Sequence, residues 1–201
     1  MRLLLNVFAL LLIPHTVAHA EESQDTYGDR LGSVHFPVTG SEIAAQHVQR
    51  GVALLHHMMY ASADKVFSNA IAADPDCAMG YWGKAMTLVH PLWPDTPSRE
   101  MLIKGLNLVE TAERRGRKTK RESAYIETLR AYFHKGTERT ETERLSTYEQ
   151  AWKRVYKAFP EDLECYVPDY FGGLVLEEIV EVEPWFSDFF VGCRARGDSV
   201  N

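Results

Sequence analysis

A chain of 201 residues with 28 acidic and 22 basic side chains carries a formal net charge of −6, which argues against a nucleic-acid-binding surface. Its three cysteines, Cys77, Cys165 and Cys193, are too few for a disulfide scaffold, so packing must hold the fold. One bridge after export stays open, with no pair favoured by the sequence.

The first twenty residues read as an export signal. Met1-Arg2 gives a positive start, Leu3 to Pro14 is a nearly unbroken apolar run, and Ala18-His19-Ala20 has the small-x-small cleavage pattern. A cut after Ala20 and a periplasmic or secreted mature chain are expected. No later stretch reaches about 18 uncharged apolar residues, so stable membrane insertion after cleavage is not expected. Residues 21–40 form a turn-rich, extended N-terminal segment, punctuated by Gly28, Gly32, Pro37 and Gly40, in which only Ser33 to Val38 looks strand-like.

Helices are predicted from Ser41, a suitable N-cap. Ala44, Val48, Gly51, Leu55 and Met58 mark one face of the first. The second, from about Ala61, carries Ala63, Val66, Phe67, Ala70 and Ile71 and closes at Asp74-Pro75-Asp76. A third is predicted over Cys77 to Val89, before a proline-interrupted link from His90 to Pro97. Ser98 caps a fourth helix striped by Met101, Leu102, Gly105, Leu108, Val109 and Ala112; Arg114 and Arg115 suit its last turn and Gly116 its end. Thr119 with Glu122 spells a capping box for a fifth, and Leu145, Tyr148, Trp152 and Val155 define a sixth that stops before Pro160. The pattern is all-α.

The spacing of small residues adds a repeat. A tetratricopeptide unit is a helix–turn–helix with small residues, an aromatic and a proline at fixed offsets. Gly51 and Leu54, then Ala63, Phe67 and Ala70, then Pro75 fill those places. Ala85 and Leu88 fall one period after Gly51 and Leu54, and Trp152 to Pro160 repeats the Phe67-to-Pro75 interval. Gly51 and Ala63 should let paired helices approach while Phe67 fills the gap between neighbouring pairs. Antiparallel pairs in a short right-handed solenoid over residues 41–162 are expected.

More specific are Leu31-Gly32-Ser33-Val34-His35-Phe36-Pro37-Val38, Arg50 to His56, Ala73 to Gly83, Met86 to Trp93, and Lys118-Thr119, Arg121-Glu122 and Tyr125-Ile126. Over about residues 31 to 162 they resemble a family of bacterial exported tetratricopeptide-repeat proteins. The resemblance implies the helical-repeat fold and export rather than an activity, and its members are usually longer. Gly40 departs from the family, whose members often carry cysteine there.

No convincing catalytic set appears. His35, His56 and His90 form a watch-list for a metal site, with His57 beside them, but no H-E-x-x-H motif accompanies them. Hydrogen bonding inside the core suffices for His56, and capping of the preceding helix for His90. Cys77 begins a helix, where the dipole activates thiols, yet a small buried core residue belongs there. Arg114, Arg115, Arg117, Lys118, Lys120 and Arg121 read as a solvated connector. Tyr81, Trp82, Trp93, Tyr125, Tyr132, Phe133 and Trp152 are mostly core; any left on the concave face would anchor a partner.

From about Glu164 the pattern changes. Pro168, Gly172 and Gly173 interrupt it, and Leu174–Leu176 and Ile179–Glu183 read as strand-like. Residues 163–201 are read as a divergent tail outside the repeat's reading frame, giving a truncated product of marginal stability or a tendency to self-associate. The expected function is an exported scaffold for a protein or peptide partner, without catalysis, cofactor or nucleic acid. A histidine-dependent metal-binding protein or enzyme and a truncated fragment of a longer repeat protein are the alternatives.

Overall fold

Side-chain capping explains where four of the six helices begin. In the computed structural model, which describes residues 31–32, 34–90 and 96–162, Ser41, Ser98, Thr119 and Thr140 each accept a backbone N–H from the first turn of the helix that follows. The helices are α1 (Glu42–His56), α2 (Tyr60–Ala73), α3 (Ala78–Met86), α4 (Arg99–Arg114), α5 (Lys120–Phe133) and α6 (Glu141–Ala158). A 3-10 turn at Gly136–Glu138 joins the last two. No strand occurs among the described residues, so the chain there is all-helical.

Two predicted details shift. Helix α3 stops at Met86, short of the expected Val89, so Leu88 lies beyond it rather than within it. Its end tightens into three-residue bonds, Leu88 N–H to Ala85 O and Val89 N–H to Met86 O, as suits a chain approaching Pro91. Met58 falls outside α1 with φ 55° and is exposed, rather than extending the buried face.

Each helix packs on the next, and α1 also meets α3, and α3 meets α5. Close approach is set by glycine. Phe67 of α2 lies between Gly51 of α1 and Gly83 of α3: a Cβ at Gly51 would fall 2.6 Å from its ring, and one at Gly83 only 2.1 Å. Phe133 of α5 presses likewise on Gly105 of α4, at 2.2 Å from a hypothetical Cβ. Ala63, Ala70 and Ala85 are fully buried around these contacts, and Leu54 and Trp152 also lie in the core. Pro75 and Pro160 occupy exposed turns.

The turn Asp74-Pro75-Asp76 ties one rim together. Asp74 Oδ2 accepts the Ser41 N–H at 2.8 Å, ahead of α1, and Oδ1 accepts the Asp76 N–H at 2.9 Å. Asp76 pairs with Arg115 at 3.7 Å, after α4. Gly116 has φ +43°, and a Cβ there would lie 2.3 Å from Asp76 O, so the α4–α5 connector is pressed onto the α2–α3 turn.

The last two helices are joined by polar groups. Arg144 is buried and donates to Gly136 O at 2.7 Å, and its guanidinium also pairs with Glu141. Glu141 in turn accepts from the Tyr132 hydroxyl at 2.7 Å. Burial, reinforced by that bond, holds the Tyr132 phenol above its ordinary pKa.

Candidate functional site

Aromatic and charged groups converge where α3 and α5 meet. Residues 34–40 cross there without helix or strand, with Phe36 buried, Val34 and Val38 half-buried, and His35 and Pro37 exposed. The Phe36 ring stacks on Trp82 of α3 at 5.4 Å between centroids and meets Tyr125 of α5 edge-on at 5.5 Å. Tyr125 continues the cluster to Trp152 at 4.8 Å.

Polar groups close the site over these rings. The Arg121 guanidinium lies over both Phe36, at 4.4 Å, and Tyr125, at 4.5 Å. It pairs with Asp162 beyond α6 and donates to Pro37 O at 3.3 Å. Tyr125 also donates its hydroxyl to Asp162, at 3.0 Å. Glu122, buried, receives the Thr39 N–H and the Thr39 hydroxyl, the latter at 2.8 Å, as well as the Thr119 N–H at 2.7 Å. One side chain thus completes the α5 capping box and holds the crossing segment. Buried acceptors matched in this way avoid the penalty of an unmade bond, about 1–3 kcal/mol.

Cys77 lies at the edge of the site as a buried free thiol. Burial is the main cause raising its pKa; Asp74 and Glu122 add to the rise, while backbone N–H groups of Gly80 and Met79 oppose it. The side chain is buried in the core at the start of α3. Gly40 sits beside it: an added Cβ would fall 3.2 Å from the Cys77 sulfur.

The histidines are placed separately. His35 is exposed on the crossing segment, and His56 is exposed in the last turn of α1 rather than inside the core. His90 lies with Nε2 2.9 Å from Thr87 O, at the end of α3, and its ring is 4.2 Å from that of Tyr60. The Nε2 of His57 lies 3.4 Å from Leu31 O. Among the described residues, no three His, Cys, Asp or Glu side chains are grouped to hold a metal ion.

The basic cluster is largely spent on the chain itself. Arg115 lies over Tyr81 at 5.8 Å, Lys118 donates to Arg115 O and Gly116 O at the end of α4, and Arg114 pairs with Glu110 at 3.9 Å. Of the aromatic anchors, Trp82, Tyr125, Tyr132, Phe133 and Trp152 are buried and Tyr81 is half-buried; Trp93 lies outside the described residues, as do residues 1–30 and 163–201 with Cys165 and Cys193. A shallow groove of about 420 Å³ runs along α4, lined by Tyr81, Glu100, Ile103, Lys104, Asn107, Leu108 and Thr111.

Phe36, Arg121 and Glu122 are the site residues that helix periodicity does not reveal. Their signals are the alternation at Val34, Phe36 and Val38, and the S/T-x-x-E box at Thr119. No helix of the described residues is long and apolar enough to cross a membrane. No family model matches the chain, and neither a curated protein nor a solved structure matches it.

Proposed function

We infer that the chain is an exported helical-repeat scaffold of the tetratricopeptide type, binding a protein or peptide partner and having no catalysis of its own. The observation that carries this reading is Phe67 held between Gly51 and Gly83, one helix pair closing on the next through glycine. That is the mechanical role the repeat assigns to its small and aromatic positions. Phe133 on Gly105 supports the same arrangement further along. Meetings of α1 with α3 and α3 with α5 are what a right-handed solenoid of pairs α1–α2, α3–α4 and α5–α6 would produce. In that arrangement the α1–α3–α5 face is the concave one, where such arrays take their ligands.

Export rests on the sequence of the first twenty residues. The reading is tested on protein recovered from cells expressing the full chain. Its N-terminus should be Glu21 and it should lie outside the cytoplasm; the purified mature chain, immobilised, should capture a defined exported partner. That partner, purified, should bind with one-to-one stoichiometry by calorimetry. Retention of Met1 in the cytoplasm would overturn the export half, and no saturable binding by any captured protein would overturn the scaffold half.

A further inference from the structure

The concave face of that scaffold is already filled by residues 34–40, and we propose that this segment occupies in cis a site for an extended peptide, which binds in trans by displacing it. The proposal rests on the peptide-binding reading above and adds the chemistry of the ligand. It is a peptide with an aromatic residue, then proline, an apolar residue and a hydroxyl residue.

The segment is seated as a bound peptide is. Its side chains alternate, with positions 34, 36 and 38 turned to the helices and 35 and 37 to solvent. Helix side chains hold its backbone: Arg121 takes Pro37 O, and Glu122 takes the Thr39 N–H. Proline suits such a ligand, because its fixed φ lowers the entropy lost on ordering and it has no N–H to leave unpaired.

The groups that read the segment belong to helices, not to the segment. Trp82 and Tyr125 flank the Phe36 ring, Arg121 covers it, and Glu122 recognises the hydroxyl residue three places on. Helix packing and the Asp162 contacts hold Trp82, Tyr125 and Arg121 independently of what fills the slot. Displacement must expose Phe36, which is buried, so the wild type should bind such a peptide weakly. A ligand for the face then binds with an affinity reduced by the fraction of time the segment is open.

The test uses the mature full chain and a fluorescent peptide matching residues 31–41, read by anisotropy. Phe36→Ala removes the anchor in cis while leaving the slot, and should bind the peptide about tenfold to a hundredfold more tightly than wild type. A peptide with alanine at the position of Phe36 should not bind. Thr39→Val, which keeps the aromatic anchor and loses the hydroxyl bond to Glu122, should give a smaller gain and guards against a Phe36 variant that does not fold. In wild type, the amides of residues 34–40 should exchange with solvent faster than those of α3 and α5. If both variants keep wild-type helical circular dichroism and neither binds the peptide, or if those amides are as protected as α5, the segment is permanent core and the proposal is wrong. Capture of an exported partner by wild type alongside that result would leave the scaffold function standing without cis occupancy.

Discussion

The first three helices and the last three reach similar burial by different means. Between α1 and α3 the device is steric: glycines bring backbones close to one aromatic ring, and only one ion pair, Lys84 with Asp64 at 2.9 Å, spans α2 and α3 among those described. Between α4 and α6 the steric device recurs, with Phe133 on Gly105, and a polar one is added to it. Arg130 grips Glu113 with two hydrogen bonds, Arg139 reaches Ala131 O at 2.9 Å, and buried Arg144 gathers Gly136 and Glu141. A steric joint fails when volume is added, whereas a polar one fails when a partner is removed. Joints of the two kinds should therefore tolerate different substitutions.

The sharpest way to break the comparison is Gly83→Ala. Phe67 is fully buried and confined on its far side by Gly51, so the ring has no room to yield to a Cβ. A loss of about 3 kcal/mol is expected from the urea midpoint. Trimming the ring as well, in Gly83→Ala with Phe67→Leu, should recover part of it. In the polar half, Arg144→Ala leaves the Gly136 carbonyl without this donor and should cost about 2 kcal/mol, less than a fully buried pair because Glu141 is partly exposed.

The smallest effect at neutral pH should come from Tyr148→Phe, within about 1 kcal/mol, since the hydroxyl donates to a weak acceptor, Met86 Sδ, at 3.6 Å. Alkali should separate the two proteins. Burial raises the folded Tyr148 pKa above its ordinary 10.0, so an unfolded tyrosine ionises first. The contribution is complete below that value and is lost as pH rises toward the folded pKa. Urea midpoints taken from about pH 9 to about pH 11 should fall less steeply for Tyr148→Phe, with Tyr132 and Cys77 contributing to the loss that remains.

Much of the fold is legible because its signals are local. Ser41, Ser98 and Thr119 mark helix starts within four residues of sequence, and the stripes that follow give the buried faces. The stripe from Leu145 locates α6 but not its start, which Thr140 and Glu143 set through a second capping box written in the same code. The end of α3 is less legible, since Leu88 keeps the repeat spacing while the approach to Pro91 ends the helix at Met86. The candidate site is least legible of all. Phe36 meets partners 46 and 89 positions away, and no local rule says which helix face an extended segment will cross. Glu122 can be read as a cap from its neighbours, but its hold on Thr39 requires the fold.

The Asp74-Pro75-Asp76 turn has a mechanical meaning. It links the start of α1, its own turn and the α4–α5 connector along one rim, in the way a rivet gathers the ribs of a fan. Loosening Asp74 or Asp76 should therefore ease one edge of the fan while the buried glycine–aromatic joints keep its ribs together.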